Sequence, residues 1–169
     1  MIHVYWGDGK GKTTAAMGLA LRCAGRGKQV VIAQFLKGGD TGERIAFQRI
    51  PNVTLLPVPE TMPFLWSMDG EERQAAAEQC RTLFAQAEQA GKTGCDLLVL
   101  DEICAAVRTG WVSPDQLSGL LDRVPAQTDV VLTGRDPLPD WLRRADYVTE
   151  LRSLRHPYDR GIAARAGIE

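Results

Sequence analysis

Six short apolar runs, most of them rich in β-branched residues, are spaced along the 169-residue chain. Apolar runs of this length, bounded by polar residues and turn formers, are typical of buried strands. We therefore predict strands at residues 2–6, 30–35, 53–58, 97–100, 130–133 and 147–151. Between the strands the apolar residues recur with helical spacing. This spacing predicts helices at residues 13–24, 43–50, 71–90, 114–123 and 139–145.

Strands that alternate with helices indicate crossover connections, which make the strands mostly parallel and put helices on both faces of the sheet. We therefore predict a three-layer α/β sandwich, formed by residues 1–169 as a single domain. Pro57, Pro59 and Pro63 interrupt the alternation and predict a long irregular segment at residues 57–70. Long loops inside a compact chain are more often functional than average.

Composition and charge exclude several classes of protein. The formal net charge of -1 gives no general positive field, so we expect no nucleic-acid partner. No apolar run approaches 18 residues and no basic leader is present, so we expect a cytoplasmic protein that does not enter a membrane. The four cysteines form no Cys-x-x-Cys pair and have no neighbouring histidine pattern, which argues against a zinc site or a disulfide framework.

A glycine-rich loop directly follows the first predicted strand and leads into an alanine-rich helix. Its glycines allow the backbone amides to point inward at phosphates, and the helix start adds partial positive charge. Lys12 can place its ammonium against the phosphates, and Thr13 can offer its hydroxyl to a magnesium ion. We predict that ATP binds to this loop, which consists of Gly7, Asp8, Gly9, Lys10, Gly11, Lys12, Thr13 and Thr14.

The loop departs from the usual pattern in one respect. That pattern has four residues between its two glycines, and here Trp6 occupies the place of the first glycine. We therefore expect the loop to hold the triphosphate in a different register from an ordinary phosphate loop. The alternative interpretation is a glycine-rich turn that only connects a strand to a helix.

A second acidic element, Leu-Leu-Val-Leu-Asp-Glu, ends in Asp101 and Glu102. It resembles a Walker B element, because its carboxylates end an apolar strand at the edge where parallel sheets bind ligands. Oxygen ligands suit Mg²⁺, or Mn²⁺ in its place. We predict a metal site formed by Thr13, Asp101 and Glu102. The alternative is a solvated helix start, where acidic residues are also favoured.

Further motifs extend from the second strand to the carboxyl end of the chain. They are Gln-Phe-Leu-Lys-Gly at 34–38, Gly-Glu-Arg at 42–44, Leu-Asp-Glu at 100–102, Leu-Thr-Gly-Arg at 132–135, Ala-Asp-Tyr-Val-Thr-Glu-Leu-Arg at 145–152, His-Pro at 156–157 and Gly-Ile-Ala-Ala-Arg-Ala-Gly-Ile-Glu at 161–169. Together with the variant loop, and in this order, they closely resemble the P-loop family of corrinoid adenosyltransferases over nearly the whole chain.

The resemblance implies a recombinase-like P-loop fold and an SN2-like reaction between two co-substrates, ATP and a reduced corrinoid. Co(I) would attack the ribose C5′ and the whole triphosphate would leave, so no general base is needed. We assign catalysis to Lys12, Thr13 and Glu102, because stabilising the leaving group requires a fixed polar environment. The resemblance also implies a homodimer and an unidentified reductant. The preferred corrinoid, among cobalamin, cobinamide and cobyrinic acid diamide, stays open.

Three more residues match family positions. Arg22, in the first helix, matches an arginine that we carry over as a triphosphate contact, with an exposed helix charge as the alternative. Phe64 and Trp66 match a Phe-x-Trp stretch that faces the corrinoid and helps remove the lower axial ligand of cobalt; the alternative is a minor packing cluster.

Many relatives carry an extension before the first strand, whereas six residues precede Gly7 here. We expect either a more open site or a partner subunit that closes over the corrinoid.

Two other classes of function stay open at this point. An ordinary ATPase or small-molecule kinase would release phosphate or ADP without a corrinoid. A non-catalytic carrier would bind ATP or corrinoid without forming the cobalt–carbon bond. A GTPase is disfavoured because the chain contains no Asn-Lys-x-Asp motif.

Overall fold

The computed structural model describes residues 1–168, so Glu169, the last residue of the final motif, lies outside the described residues. Its six strands form one sheet with the order β3-β2-β4-β5-β1-β6, and every neighbouring pair is parallel. The strands are β1 (Ile2–Trp6), β2 (Val30–Gln34), β3 (Val53–Leu55), β4 (Leu97–Asp101), β5 (Asp129–Gly134) and β6 (Tyr147–Glu150). The predicted parallel sheet is confirmed.

Helices cover both faces of this sheet. They are α1 (Lys12–Ala24), α2 (Gly42–Phe47), α3 (Gly70–Thr93), α4 (Ile103–Arg108), α5 (Pro114–Arg123) and α6 (Pro139–Arg144), followed by a short 3-10 helix at Pro157–Arg160. Residues of α1 and α2 share one core with one face of the sheet, and residues of α3, α4, α5 and α6 share a second core with the other face. The three-layer α/β prediction is therefore confirmed.

The central strands are buried on both faces, which explains why they read as continuous apolar runs. All five residues of β2 and all five of β4 are buried. Successive side chains point to opposite faces, so Ile32 packs in the α1 core while Val31 packs in the α3 core.

Most elements differ from the sequence prediction by one to three residues at an end, and three differences have a clear physical reason. The strand β3 ends at Leu55, because Pro57 has no N–H to extend the ladder. The helix α3 starts at Gly70, where Asp69 and Glu72 form a reciprocal capping box. The helix α4 was not predicted: five of its six residues are buried, so its sequence lacks the polar stripe that marks a surface helix.

All four cysteines are free thiols, as the sequence predicted. Burial raises the pKa of Cys80 and Cys95 to about 11 and that of Cys104 to about 12. They are therefore packing residues. No helix within residues 1–168 combines the length and the apolar character needed to cross a membrane.

Candidate functional site

The loop after β1 has the backbone shape that its glycines allow. Gly7 and Gly11 adopt φ angles of 117° and 114°, a region that side chains rarely enter. The helix α1 begins directly after Gly11, and the Nζ of Lys12 donates to the carbonyl oxygen of Gly9 at 2.8 Å. The lysine therefore lies across its own loop, at the amino end of a helix.

The segment that follows β6 packs directly on this loop. The amide of Gly9 donates to the carbonyl oxygen of Leu151 at 2.7 Å, and the amide of Ser153 donates to Asp8 Oδ1 at 3.1 Å. A Cβ atom added at Gly7 would lie 2.3 Å from the Leu151 oxygen, and one at Gly9 would lie 2.7 Å from the same oxygen. The close approach of a neighbouring backbone therefore requires glycine at both positions.

A fully buried carboxylate lies beside the loop. Asp101 ends β4 with 0% exposure, which excludes a solvated helix start for this residue. Its Oδ1 accepts from the hydroxyls of Thr13 at 3.0 Å and Thr133 at 2.7 Å. Its Oδ2 accepts from Gln34 Nε2 at 3.3 Å and from Lys37 Nζ at 2.7 Å. The carboxylate thus joins α1, β2, β4 and β5 at the carboxyl edge of the sheet.

An outer layer of polar side chains orients these partners. Gln34 Nε2 also donates to Glu43 Oε1 at 3.1 Å, and the Gln34 side-chain oxygen accepts from Arg44 at 3.3 Å. Arg44 itself is buried and donates to the Leu56 carbonyl oxygen at 3.0 Å. The Gly-Glu-Arg motif therefore orients Gln34, which in turn contacts Asp101.

Glu102 follows the buried carboxylate in the chain and lies within electrostatic range of Asp101 and Lys12. Its φ of 60° is unusual for a residue with a side chain, and its amide donates to Thr133 Oγ1 at 2.7 Å. Burial is the main cause that raises the pKa of the Glu102 carboxyl, and the negative charge of Asp101 raises it further. The positive charge of Lys12 acts in the opposite direction and lowers this pKa. Burial lowers the pKa of Lys12 in turn. The Glu102 carboxyl and the Lys12 ammonium are thus both partly withdrawn from water, which is common for ionisable groups in ligand-binding sites.

The oxygen atoms of Thr13 and Asp101 fit a divalent cation. The Lys37 ammonium contacts both, at 2.9 Å from Thr13 Oγ1 and 2.7 Å from Asp101 Oδ2, so a positive charge is already favoured at this position. Within residues 1–168, no three His, Cys, Asp or Glu side chains form a cluster that could hold a metal ion. A metal here would need further oxygen ligands from a substrate, as Mg²⁺ commonly takes from phosphates.

The two predicted aromatics lie in the irregular segment before α3 and are exposed. Phe64 is 72% and Trp66 82% exposed, and their rings stack with centroids 5.7 Å apart and planes 11° apart. They pack on each other and not in either core. The same segment approaches the chain after β2, because Gly39 donates to the carbonyl oxygen of Pro59 at 2.9 Å. The start of the irregular segment is therefore held against the segment that carries Lys37.

Other predicted residues lie at or away from the loop. The side chains of Lys10 and Thr14 are exposed at its rim. Arg22 is exposed in the last turn of α1, ten residues after Lys12, which is about 15 Å along a helix. The fold of one chain does not bring Arg22 to the loop, and its role as a triphosphate contact stays a prediction.

A cleft of about 570 Å³ opens beside the loop. Its walls are the start of the loop, the turn after β5 with Arg135, and the segment after β6 with Arg152 and Ser153. Arg152 pairs with Glu150 at 2.8 Å, so the walls carry both signs of charge. A space of this size suits a nucleotide-sized ligand.

Sequence reasoning gave no role in the site to Lys37, Gln34, Arg44 or Thr133. All four lie in motifs that it noted. Gln34, Lys37 and Thr133 meet at Asp101 because β2 and β5 flank β4, and Arg44 reaches the site through Gln34. For Gln34, Lys37 and Thr133 the usable signal was a position at, or just after, the carboxyl end of a buried strand.

The chain is similar over its whole length to one protein family. A family model described as "ATP:corrinoid adenosyltransferase BtuR/CobO/CobP" matches residues 1–169. The corrinoid adenosyltransferase of Escherichia coli (strain K12) is 36% identical over 171 residues, covering 100% of this chain and 85% of that protein. The Corrinoid adenosyltransferase CobA of Salmonella typhimurium is 35% identical with the same coverage, and the corrinoid adenosyltransferase of Pseudomonas aeruginosa is 34% identical, covering 100% and 83%.

The contact between the loop and the segment after β6 predicts the effect of Gly9→Ala. The new methyl group would overlap the backbone at Leu151 and Arg152, so we expect the free energy of unfolding to fall by about 1–3 kcal/mol. Gly18→Ala is the matched control, because nothing lies within 4 Å of its added Cβ and its helix should gain about 0.5–1 kcal/mol. Urea denaturation of both variants measures the difference. Wild-type stability in Gly9→Ala would contradict the required close approach.

Proposed function

The chain belongs to the ATP:corrinoid adenosyltransferase family, and on that premise we propose that it transfers the 5′-deoxyadenosyl group of ATP to a reduced corrinoid. The Co(I) lone pair would form the bond to C5′ while the C5′–O bond breaks and its electrons leave with triphosphate. The observation that carries the proposal is the match of the family to residues 1–169. The contact of Thr13 with the buried Asp101 and the exposed pair of stacked aromatic rings agree with it.

The proposed reaction places its main demand on the leaving group. Negative charge grows on the triphosphate as the C5′–O bond breaks, and no proton has to be removed from the nucleophile. Lys12 at the start of α1 is suited to this demand, because its burial makes a phosphate a better partner than the Gly9 carbonyl oxygen that it contacts here. Prepositioned charge of this kind stabilises the transition state more than the bound substrate.

Thr13 and Asp101, with Glu102 next to them, are the residues that would hold Mg²⁺ or Mn²⁺ in this proposal. When bound, the ion would supply Lewis-acid neutralisation of the phosphate charge. Thr13 takes part through its hydroxyl, which Asp101 already orients. Thr133 fixes the other side of the same carboxylate.

Phe64 and Trp66 are the proposed corrinoid contacts. The two large rings present apolar surface to water, and a flat, broad ligand can cover that surface. The role carried over from the family is removal of the lower axial ligand, since loss of that donor makes Co(II) easier to reduce. The rings stack on each other outside both cores, so packing in a hydrophobic core does not account for their position.

The cytoplasmic location, the homodimer and the need for a reductant stay predictions, and the choice among the three corrinoids stays open. The same is true of the closing of the site by a partner subunit.

The direct experiment is an anaerobic incubation in dim light with ATP, Mg²⁺ and chemically reduced cob(I)alamin. We expect a light-sensitive cobalt–carbon product, followed by its absorption spectrum, and one triphosphate for each corrinoid adenosylated. ADP or inorganic phosphate without that product would instead support an ATPase or kinase. Corrinoid binding with no transfer would support a carrier.

Lys12→Ala is expected to lower kcat by about 10²–10³-fold, because one prepositioned charge on the leaving group is lost. The spectrum of the cobalt–carbon product measures the rate. Lys28→Ala is the control: it removes an exposed lysine paired with Asp96 at 3.6 Å and should leave the rate unchanged. Near-normal turnover of Lys12→Ala would remove the lysine from the proposed mechanism.

Trp66→Ala is expected to harm the reaction that starts from cob(II)alamin more than the reaction given chemically reduced cob(I)alamin. The physical reason is that removal of the axial ligand matters for reduction and not for the later attack on C5′. Trp66→Phe, which keeps an aromatic ring, should recover most of the loss. Equal losses in both assays would indicate that Trp66 only packs or binds.

A further inference from the structure

The proposed function gives Lys37 no role, although its ammonium lies at the centre of the site. Its Nζ is 2.7 Å from Asp101 Oδ2, 2.9 Å from Thr13 Oγ1 and 3.9 Å from Glu43 Oε1. The side chain is 24% exposed, while the carboxylate that it neutralises is 0% exposed. Lys37 therefore contacts the same two oxygen-bearing side chains that the proposed function gives to the metal.

We propose that Lys37 is an internal counter-cation that competes with the divalent metal for Thr13 and Asp101 and excludes the metal until the nucleotide binds. This inference rests on the proposed metal site at those two residues. Lys37 is a positioning residue in this account, because it acts through the oxygens that it holds.

The need for such a cation follows from the burial of Asp101. A buried carboxylate without a compensating charge is strongly unfavourable, and the hydroxyl and amide donors around it are neutral. Lys37 supplies the missing charge. A divalent cation on the same oxygens would lie within a few ångströms of the ammonium, where the repulsion between like charges is large because the site is poorly solvated.

The nucleotide would relieve this conflict. Its triphosphate brings several negative charges, which provide new ligands for the metal and new partners for the ammonium. The partly exposed head of Lys37, on a flexible four-carbon stem, can leave Asp101 without unfolding the site. Metal and nucleotide are then expected to bind together, and the metal alone only weakly.

The test measures Mn²⁺ binding without nucleotide, by the loss of the free-ion electron paramagnetic resonance signal. Lys37→Met should bind Mn²⁺ at least about tenfold more tightly than the wild type, because the competing charge is gone. Lys37→Arg should stay as weak as the wild type, since it keeps a cation. Lys92→Met is the matched control, because it removes a lysine that is paired with Glu88 on α3. Equal Mn²⁺ affinity in the wild type and Lys37→Met would overturn the inference.

Thermal unfolding without nucleotide gives a second readout that does not depend on activity. Lys37→Met leaves Asp101 uncompensated, so its midpoint should fall and should recover when Mg²⁺ is added. The wild-type midpoint should not respond to Mg²⁺. If Lys37→Met is too unstable to purify, Lys37→Gln, which keeps a hydrogen-bond donor, is compared in the same way. A Mg²⁺ response in the wild type equal to that of the variant would overturn the inference.

The variant Asp101→Asn distinguishes failure of the proposed metal site from failure of the role proposed for Lys37. Water-proton relaxation of the Mn²⁺–ATP complex should be enhanced by the wild type and much less by Asp101→Asn, which tests the proposed site itself. Enhancement that depends on Asp101, together with unchanged nucleotide-free Mn²⁺ binding in Lys37→Met, rejects only the role of Lys37. Enhancement that does not depend on Asp101 rejects both.

Discussion

The structure of this site depends on keeping one buried charge satisfied. Asp101 has no exposure to solvent, and a carboxylate in that position is tolerated only when donors and a cation surround it. Thr13, Gln34, Lys37 and Thr133 meet that need. Because they come from the glycine-rich loop, from the end of the second strand and from the fifth strand, the carboxylate fixes these three parts of the chain relative to one another.

The phosphate loop is constrained from its other side by backbone packing. Its amide at Gly9 is bonded to Leu151, and its glycines leave no room for side chains against that segment. The loop is thus held between a charged centre on one side and the end of a strand on the other. This provides a physical reason for a loop that departs from the usual glycine spacing, because two neighbouring parts of the chain constrain its shape.

The sequence predicted the layers of the fold well and the assembly of the site less well. Six apolar runs and the crossover rule were sufficient for a parallel sheet. The helix predicted at residues 114–123 has the same bounds as α5, which Ser113 and Gln116 cap. Lys37 was not predicted in the site because the local sequence pattern does not determine the order of the strands in the sheet. The placement of Arg22 away from the loop follows from the rise of the helix, which motif matching ignores.

The bond between Gly9 and Leu151 joins residues that are 142 positions apart in the chain. Contacts of such long sequence separation form late, because the entropy of a large closed loop must first be overcome. During synthesis, the strand–loop–helix unit that carries the phosphate-binding residues therefore emerges from the ribosome without the segment that shapes it. The nascent chain therefore contains the glycine-rich loop long before Leu151 can pack on it. We expect the loop to reach its final shape only when the whole fold has formed.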